Sequence, residues 1–435
     1  MRWFKVLGAL GGVATAAHAT ALQPLEEFLR GARANGPDDA EARALESQSA
    51  AEATATLGQA LPRLSLQAHY TRNQYQASIP IPAAGGGPPS AVTITPWDQV
   101  DGEAILTVPL VDLAKFARIA AARTTAAAAT SGAEATDLRV QSTVSQDYYQ
   151  LIAYAALVDS SQRALQVARV SLRIAEERYE AGAAALLDAD RARAEVERNV
   201  QQLAAAELQV SLAARALQSA TGVSPDLQGQ MAFGDDLHEE PPLEQFQTPD
   251  DGIPSIATAI EHRVASEQTA AAERLSFVPS LEAALTEQTS NVKGFSGQEA
   301  FWQAVVGLTW SFDLTKVANV RAQAAAADAA RAEEQRARLT ARDDIHRAWM
   351  TVETDIARSR SARVEAEVSA RASAIALEQY RDGTATQLDL LQAQRDAFNA
   401  EASRIQADAD LLNSRAQLRI AAGESLLPGA AGRAP

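Results

Sequence analysis

Arg178-Tyr179-Glu180-Ala181-Gly182, running on to Leu187-Asp188, decides the reading of this chain because it occurs twice: Gln379-Tyr380-Arg381-Asp382-Gly383 runs on to Leu388-Asp389. Tyr179 and Tyr380 lie 201 residues apart, as do Gly182 and Gly383, Asp188 and Asp389, and Gly222 and Gly423. Upstream, Asp112-Leu113 with Lys115 falls on Asp313-Leu314 with Lys316, and Tyr148 falls on Trp349. One register kept over so many landmarks marks an internal duplication. Each copy has a long helical pattern on either side of the glycine, so the glycine sits at the bend of a helical hairpin.

The arms of these hairpins are long. Asp112 to Tyr179 runs 68 residues without a proline, on the order of 100 Å of helix at ~1.5 Å per residue. Val144, Leu151, Val158, Leu165, Leu172 and Tyr179 recur every seven residues, and Val196, Leu203, Val210 and Leu217 do the same on the return arm. An apolar stripe of that period on both arms predicts coiled-coil packing. In the second copy the return arm carries Leu391, Phe398, Ile405 and Leu412, but the outgoing arm has Ser359, Ala366 and Ser373. Small residues there allow close helix approach, or mark a face turned to solvent or a lumen.

Ahead of each hairpin the period changes to two. After Leu61-Pro62, Leu64, Leu66, Ala68 and Tyr70 alternate with Ser65, Gln67, His69 and Thr71, and Ala104, Leu106, Val108 and Leu110 give a second strand. A Gly/Pro-rich loop, Tyr75 to Pro96, is expected between them. In the second copy a helix over about 255–277 leads to Val278-Pro279, then to a strand with Leu281, Ala283 and Leu285 and a loop through Asn291-Val292-Lys293-Gly294. The clearest strand follows, with Trp302, Ala304, Val306, Leu308, Trp310 and Phe312 opposite Gln303, Val305, Gly307, Thr309 and Ser311. From Pro62 to Asp112 is 50 residues and from Pro279 to Asp313 is 34, so the first hairpin holds 16 more. The chain thus divides into a first repeat (20–223, with a β-hairpin at about 63–111 and a helical hairpin at 112–222), a linker or equatorial segment (224–254) and a second repeat (255–423). The second repeat has its β-hairpin at about 280–312 and its helical hairpin at 313–423, and a tail follows at 424–435. A short helix and turn are expected at 20–37, and an Ala/Glu-rich helix at 38–60.

Composition narrows the class. Of 435 residues 47% are hydrophobic but only 5% aromatic, too few large side chains for a thick core and suited to long helices in thin layers. Residues 1–19 read as a secretory signal: Arg2 and Lys5, a small apolar run from Val6 to Ala17, then Ala17-His18-Ala19. That run of about 12 residues falls short of the ~20 needed to span a bilayer. The formal charge of −16 becomes −18 once Arg2 and Lys5 are removed, which excludes nucleic acid as the expected partner. The absence of cysteine removes disulfides, zinc–thiolate sites and cysteine nucleophiles.

Enzyme signals are weak. His69, His238, His262 and His346 fall in four different elements, and no H-E-x-x-H, G-x-S-x-G or phosphate-binding glycine loop occurs. Gly85-Gly86-Gly87 lacks a following Lys-Ser/Thr, and Asp343-Asp344 and Asp408-x-Asp410 read as helix-surface charges. Tyr148 and Tyr149 read as packing residues. No catalytic residue, cofactor or metal is expected.

Four strands of about 8–11 residues, one carrying tryptophan at each end of its apolar face, match the outer-membrane strand pattern of a lipid band between aromatic belts. Trp302, Trp310, Phe312 and Tyr70 are the belt residues so expected. Four strands leave two open edges, and open edges cannot face hydrocarbon. Other copies must close the wall: a dimer gives eight strands with a filled interior, a trimer twelve with room for a passage.

On these residues the chain resembles the TolC family of outer-membrane ducts used in efflux and type I secretion. The resemblance is carried by Arg178-Tyr179-x-x-Gly182 with Leu187-Asp188 and its copy at Tyr380, Gly383 and Leu388-Asp389, by the Val108-Pro109-Leu110-Val111-Asp112 junction, by Leu61-Pro62, and by Gly222 and Gly423. It implies a mainly α chain with a membrane β-barrel: a homotrimer whose 12-stranded barrel in the cell outer membrane continues as an α-helical barrel into the periplasm. The implied partners are outer-membrane lipid, a periplasmic adaptor docked at the tips (Gly182, Ala183, Ala184, Gly383, Thr384) and an inner-membrane pump. The implied entrance gate has Asp389 as its acidic position, with Asp188 its counterpart in the first copy and Tyr380 a contact. Gln392 stands where a second aspartate is expected, and Ala385 where an arginine tie would sit. Asp389 three times around a narrow mouth would favour cations; the competing reading makes Asp188 and Asp389 helix N-caps. The alternative function, a periplasmic coiled-coil adaptor or scaffold, keeps the hairpins but places the strands in a soluble domain, where the Trp302–Phe312 face should be covered.

Overall fold

The computed structural model describes residues 22–81, 90–227, 234–247, 249, 252–293 and 297–427. The expected signal at 1–19, the glycines of the Gly/Pro-rich loop, Gly294 and residues 428–435 of the tail lie outside the described residues. The elements are α1 (Leu25–Asn35), α2 (Pro37–Gly58), β1 (Arg63–Arg72), β2 (Ala77–Ile81), β3 (Ser90–Thr95), β4 (Asp98–Val111), α3 (Leu113–Glu180), α4 (Leu186–Thr221), α5 (Pro254–Leu275), β5 (Ser280–Ser290), β6 (Ala300–Thr309), α6 (Leu314–Arg381) and α7 (Gln387–Ala421). The duplication is explicit: α3 and α6 are both 68 residues long, and α4 and α7 are 36 and 35. Two compact units are formed, one from Met1–Glu41, Ala135–Ile253 and Ala341–Pro435, the other from Ala42–Glu134 and Pro254–Thr340.

The second of these units holds the strands. β1, β4, β5 and β6 make one antiparallel sheet in that order, which leaves β1 and β6 as edges. Two departures from the sequence reading stand out. The Tyr75–Pro96 loop contains a hairpin of its own, β2 with β3, because Ala91-Val92-Thr93-Ile94-Thr95 is rich in β-branched residues that favour a pleated surface. β6 ends at Thr309, so Trp310 and Phe312 lie just beyond the strand. There Trp310 donates its indole N–H to the Phe277 carbonyl at 3.0 Å, and Phe312 packs on Phe277 with ring centroids 5.9 Å apart. Each repeat passes from strand to helix through an aspartate. The Lys115 N–H donates to Asp112 Oδ1 at 2.9 Å and the Lys316 N–H to Asp313 Oδ1 at 2.8 Å. The repeated Asp-Leu-x-Lys is therefore a helix N-cap.

The other unit is built on the coiled-coil stripe. Leu165, Ala168 and Val196 bury one another with Leu172 and Leu203 alongside, while Val144, Leu151 and Leu217 pack with Phe28, Leu29 and Ala32 of α1. Tyr148 lies in that core, its hydroxyl donating to the Gln23 carbonyl at 3.1 Å and its ring 5.7 Å from Phe28; burial pushes its hydroxyl up to about 12. In the second copy Ser359 is fully buried and donates to Asp408 Oδ1 at 2.5 Å, and Ala366 is buried too. The small residues of α6 thus allow close helix approach.

Residues 234–247 are held down rather than free. Arg415 of α7, 6% exposed, reaches Asp235 Oδ2 at 2.8 Å, the Glu240 carboxylate and the His238 carbonyl at 2.6 Å. Arg363 donates to the Asp235 carbonyl at 3.0 Å, and the Trp349 indole to the Pro241 carbonyl at 3.0 Å.

Candidate functional site

Both hairpin tips end their outgoing helix the same way. Gly182 and Gly383 take φ of +71° and +79°, a left-handed conformation that costs glycine nothing. The Ala183 N–H then donates to the Arg178 carbonyl at 2.8 Å, and the Thr384 N–H to the Gln379 carbonyl at 2.9 Å. This six-to-one closure satisfies carbonyls that the last helical turn leaves open. Gly182, Ala183, Gly383 and Thr384 are exposed and Ala184 is half-buried.

The two tips then diverge. Arg178 donates through Nη1 to the Tyr380 carbonyl and, at 3.4 Å, to the Arg381 carbonyl, and its guanidinium lies 4.9 Å from the Tyr380 ring centroid. A cation placed on the last carbonyls of α6 meets the negative end of that helix and the face of an aromatic ring at once. Tyr380 is 3% exposed, and burial raises its hydroxyl. The Tyr380 hydroxyl and both amide atoms of buried Gln387 lack a hydrogen-bond partner among the described residues. Position 385 holds alanine, and the arginine that touches the second tip stands in the first repeat. Its signal was in the register: position 178 is arginine where its counterpart, Gln379, is not, while Tyr179, the counterpart of Tyr380, is 44% exposed.

Asp389 acts locally. Its Oδ2 accepts from the Thr386 N–H at 3.0 Å and from the Thr386 hydroxyl at 2.6 Å, and its own N–H donates to Thr386 Oγ1 at 3.2 Å. This is a capping box with Thr386 as N-cap and Asp389 at the third helical position, which corrects the reading of Asp389 as the N-cap itself. In the first copy Ala185 occupies the cap position without a side-chain bond, and half-buried Asp188 makes a 3.8 Å ion pair with Arg191. Gln392 donates to Asp396 Oδ1 at 2.9 Å along its own helix. The Thr386 bonds hold the Asp389 carboxyl below its ordinary 3.8. A group depressed in the folded state contributes stability above its unfolded value and loses it as pH falls through the folded one. The amides at the start of α7 should therefore keep the same protection, relative to the intrinsic exchange rate, at pH 7 and pH 5 and lose it only below about pH 4; Thr386→Ala should abolish that step.

The sheet has two unlike faces. The cross-strand rows Leu64–Leu106–Leu285–Ala304 and Leu66–Ala104–Glu287–Trp302 lie on one, with Tyr70 and Val100 above and Val108, Ala283 and Val306 below. The rows Ser65–Ile105–Thr286–Gln303 and Gln67–Glu103–Gln288–Phe301 lie on the other. On the apolar face Leu66, Trp302, Val306 and Leu308 are 68–74% exposed, Tyr70 67%, and Trp310 and Phe312 63%. So much bare apolar surface on one face is what a lipid-facing sheet presents. Along the strands, Trp310 and the Tyr70 row are separated by about 12 residues, roughly 30 Å of depth at 3.3 Å per residue and a 40° tilt.

One further cluster, Asp235, Asp236 and His238, brings three potential ligand atoms within 4.8 Å of one another. Arg415 already engages two of the three, with Nη1 2.9 Å from His238 Nε2 and Nη2 3.0 Å from Asp235 Oδ1.

A family model described as outer membrane efflux protein matches residues 28–223 and 253–424. No curated protein matches. Among solved structures, the Campylobacter jejuni CmeC outer membrane channel superposes with a TM-score of 0.78 at 21% identity, covering 92% of this chain and 86% of that one. VceC, the outer membrane protein of Vibrio cholerae, gives 0.78 at 18% identity, with 92% and 96% covered. The outer-membrane channel OprN gives 0.78 at 19% identity, with 92% and 90% covered. At these identities the likeness speaks to the fold.

Proposed function

We propose, from the premise that this chain belongs to the outer membrane efflux protein family, that three copies form one duct fed at its helical tips by a periplasmic adaptor and an inner-membrane pump. Membership makes the chain an outer-membrane efflux duct of the TolC type, with its helices extending into the periplasm. The trimer, the adaptor and the pump are our inference. The observation that carries the trimer is the four-stranded sheet with unpaired edges at β1 and β6 and a bare apolar face. Twelve strands close without an edge and leave a passage, which eight do not. Exposed apolar side chains on α4 (Val200, Leu208, Leu212) and on α6 (Val364, Val368, Ile375) supply faces that neighbouring copies would cover.

Gly182, Ala183, Ala184, Gly383 and Thr384 then form the adaptor-docking ends. Asp389, Tyr380, Asp188 and Gln392 surround the entrance, where Asp389 both caps α7 and contributes an acidic ring. A periplasmic adaptor or scaffold accounts less well for Leu66 and Trp302 standing bare.

The chain has no cysteine, so introduced ones report alone. With Gln67→Cys on β1 and Gln303→Cys on β6, a bismaleimide should give a cross-linked ladder that stops at three in outer-membrane fractions. A ladder stopping at two, or recovery of the chain in a salt-washed soluble fraction, would overturn the proposal. In planar bilayers Asp389→Asn should lower cation preference; an unchanged reversal potential would leave Asp389 as a cap alone.

A further inference from the structure

We infer that neighbouring copies meet α6 against α4 in the register that α3 keeps against α7 within one chain, and that this seam between copies carries no arginine tie at its tip. The inference rests on the reading of three copies as one duct and adds the register and chemistry of their contact.

The template lies inside the chain, where α3 packs along α7. The Ser142 carbonyl accepts from Gln417 Nε2 at 3.0 Å, and Ala153 shares a small core with Ile405 and Ala409. Arg163 pairs with Glu401 at 3.7 Å, and the Gln394 amide donates to Ser171 Oγ at 2.7 Å. By the 201-residue register α6 is the second copy of α3, and α4 is the first copy of α7. Each contact therefore has a counterpart, reached by adding 201 to the α3 residue and subtracting it from the α7 residue. Ser142–Gln417 becomes Asp343–Ala216, and Ala153–Ala409 becomes Thr354–Leu208. Arg163–Glu401 becomes Val364–Val200, and Ser171–Gln394 becomes Ala372–Arg193. All of these counterparts are exposed in the single chain, whereas the template residues, Arg163 aside, are buried or half-buried. The bare strips on α6 and α4 are thus the surfaces that the chain covers for itself on α3 and α7. Two unlike strips on one chain, each fitting the other, make a head-to-tail contact that closes as a ring.

The two seams differ in chemistry. Val364 and Val200, 58% and 40% exposed, stand where the chain has its own ion pair, and Leu208, 56% exposed, comes to lie on Thr354. No side-chain hydrogen bond or ion pair of the template is carried over into these counterparts. An exposed ion pair contributes little and apolar burial more, so the seam between copies holds by burial. The tip differs most. Arg178 with Tyr380 and Arg381 becomes Gln379 with Tyr179 and Glu180. Gln379 is exposed, and it has neither the charge nor the planar fork that Arg178 lays on the Tyr380 carbonyl and ring. Tied seams within copies therefore alternate with untied seams between them, and the entrance parts first between copies.

Cysteine pairs in the full-length protein test the register. In outer-membrane fractions Thr354→Cys with Leu208→Cys should oxidise to a cross-linked ladder that stops at three, since a disulfide forms only where Cα atoms lie within about 7 Å. Val364→Cys with Leu208→Cys should stay uncross-linked, being about ten residues, roughly 15 Å of helix, out of step. No ladder from the first pair, or an equal ladder from the second, would overturn the register. The β1–β6 pair tells the causes apart: if Gln67→Cys with Gln303→Cys still reaches three, the trimer stands and only the register falls, and if it does not, both fall. In planar bilayers Gln379→Arg supplies the missing tie against Tyr179 of the next copy and should lower conductance about tenfold, as one charge-assisted hydrogen bond warrants. Gln379→Lys, with charge but no fork, should fall between. A conductance unchanged in Gln379→Arg would overturn the untied seam.

Discussion

Replacing Arg178 with alanine is expected to raise the conductance of the duct several-fold in planar bilayers while leaving its yield in membranes unchanged. Arg178 is the side chain that joins the first hairpin tip to the second, through the Tyr380 and Arg381 carbonyls and the Tyr380 ring. Hydrogen bonds from a charged donor contribute roughly 1.5–3 kcal/mol each, and 1.4 kcal/mol is a tenfold change in an equilibrium constant. One lost tie per copy can therefore move a gate from mostly closed to mostly open. The tie closes no core, so its loss should not unfold the hairpins. Arg178→Lys keeps the charge but not the planar fork over the ring and should give an intermediate conductance. Tyr380→Phe should be close to silent, because the Tyr380 hydroxyl has no partner among the described residues. If Arg178→Ala conducts like wild type, the tie does not gate the duct.

The largest effect on stability is expected at Arg415. Arg415→Met should lower unfolding stability by about 3–5 kcal/mol, the range for removing one partner of a buried ion pair, out of the ~5–15 kcal/mol typical of a folded protein. The reason lies in what stays behind. The side chains of Asp235 and Glu240 are 6% and 1% exposed, and without the guanidinium Asp235 loses its ion pair while Glu240 keeps a longer contact to Arg419 at 3.8 Å. The segment 234–247 should then lift from α6 and α7 and become a site of limited proteolysis. Adding Asp235→Asn and Glu240→Gln to Arg415→Met should recover part of the loss, since it removes the charges left behind. A thermal midpoint in Arg415→Met equal to wild type, with the segment still protected, would show that Trp349 and Arg363 suffice to hold it.

Much of this could be read along the chain. The 201-residue register put the glycines at the hairpin tips, and the seven-residue stripe from Val144 to Leu172 became the packed seam of α3 on α4. Alternation from Leu64 and from Trp302 marked strands and their apolar face correctly. Each of these signals is local, repeating every two or seven residues, and so needs no knowledge of the partner. A hidden signal could also have been used: the Arg178/Gln379 mismatch breaks the repeat where the tie is made.

By itself, then, the sequence determined a duplicated chain with two long helical hairpins, four membrane-type strands and glycine-bent tips, because backbone preference and side-chain period act over a few residues at a time. Only the tertiary structure decided which groups meet across 177 or 202 positions: Arg415 on His238, and Arg178 on Tyr380. It also turned Asp389 back onto Thr386. Charged side chains carry no address in their own neighbourhood; their partners are chosen by which helix ends and buried carboxylates the packed chain brings within reach.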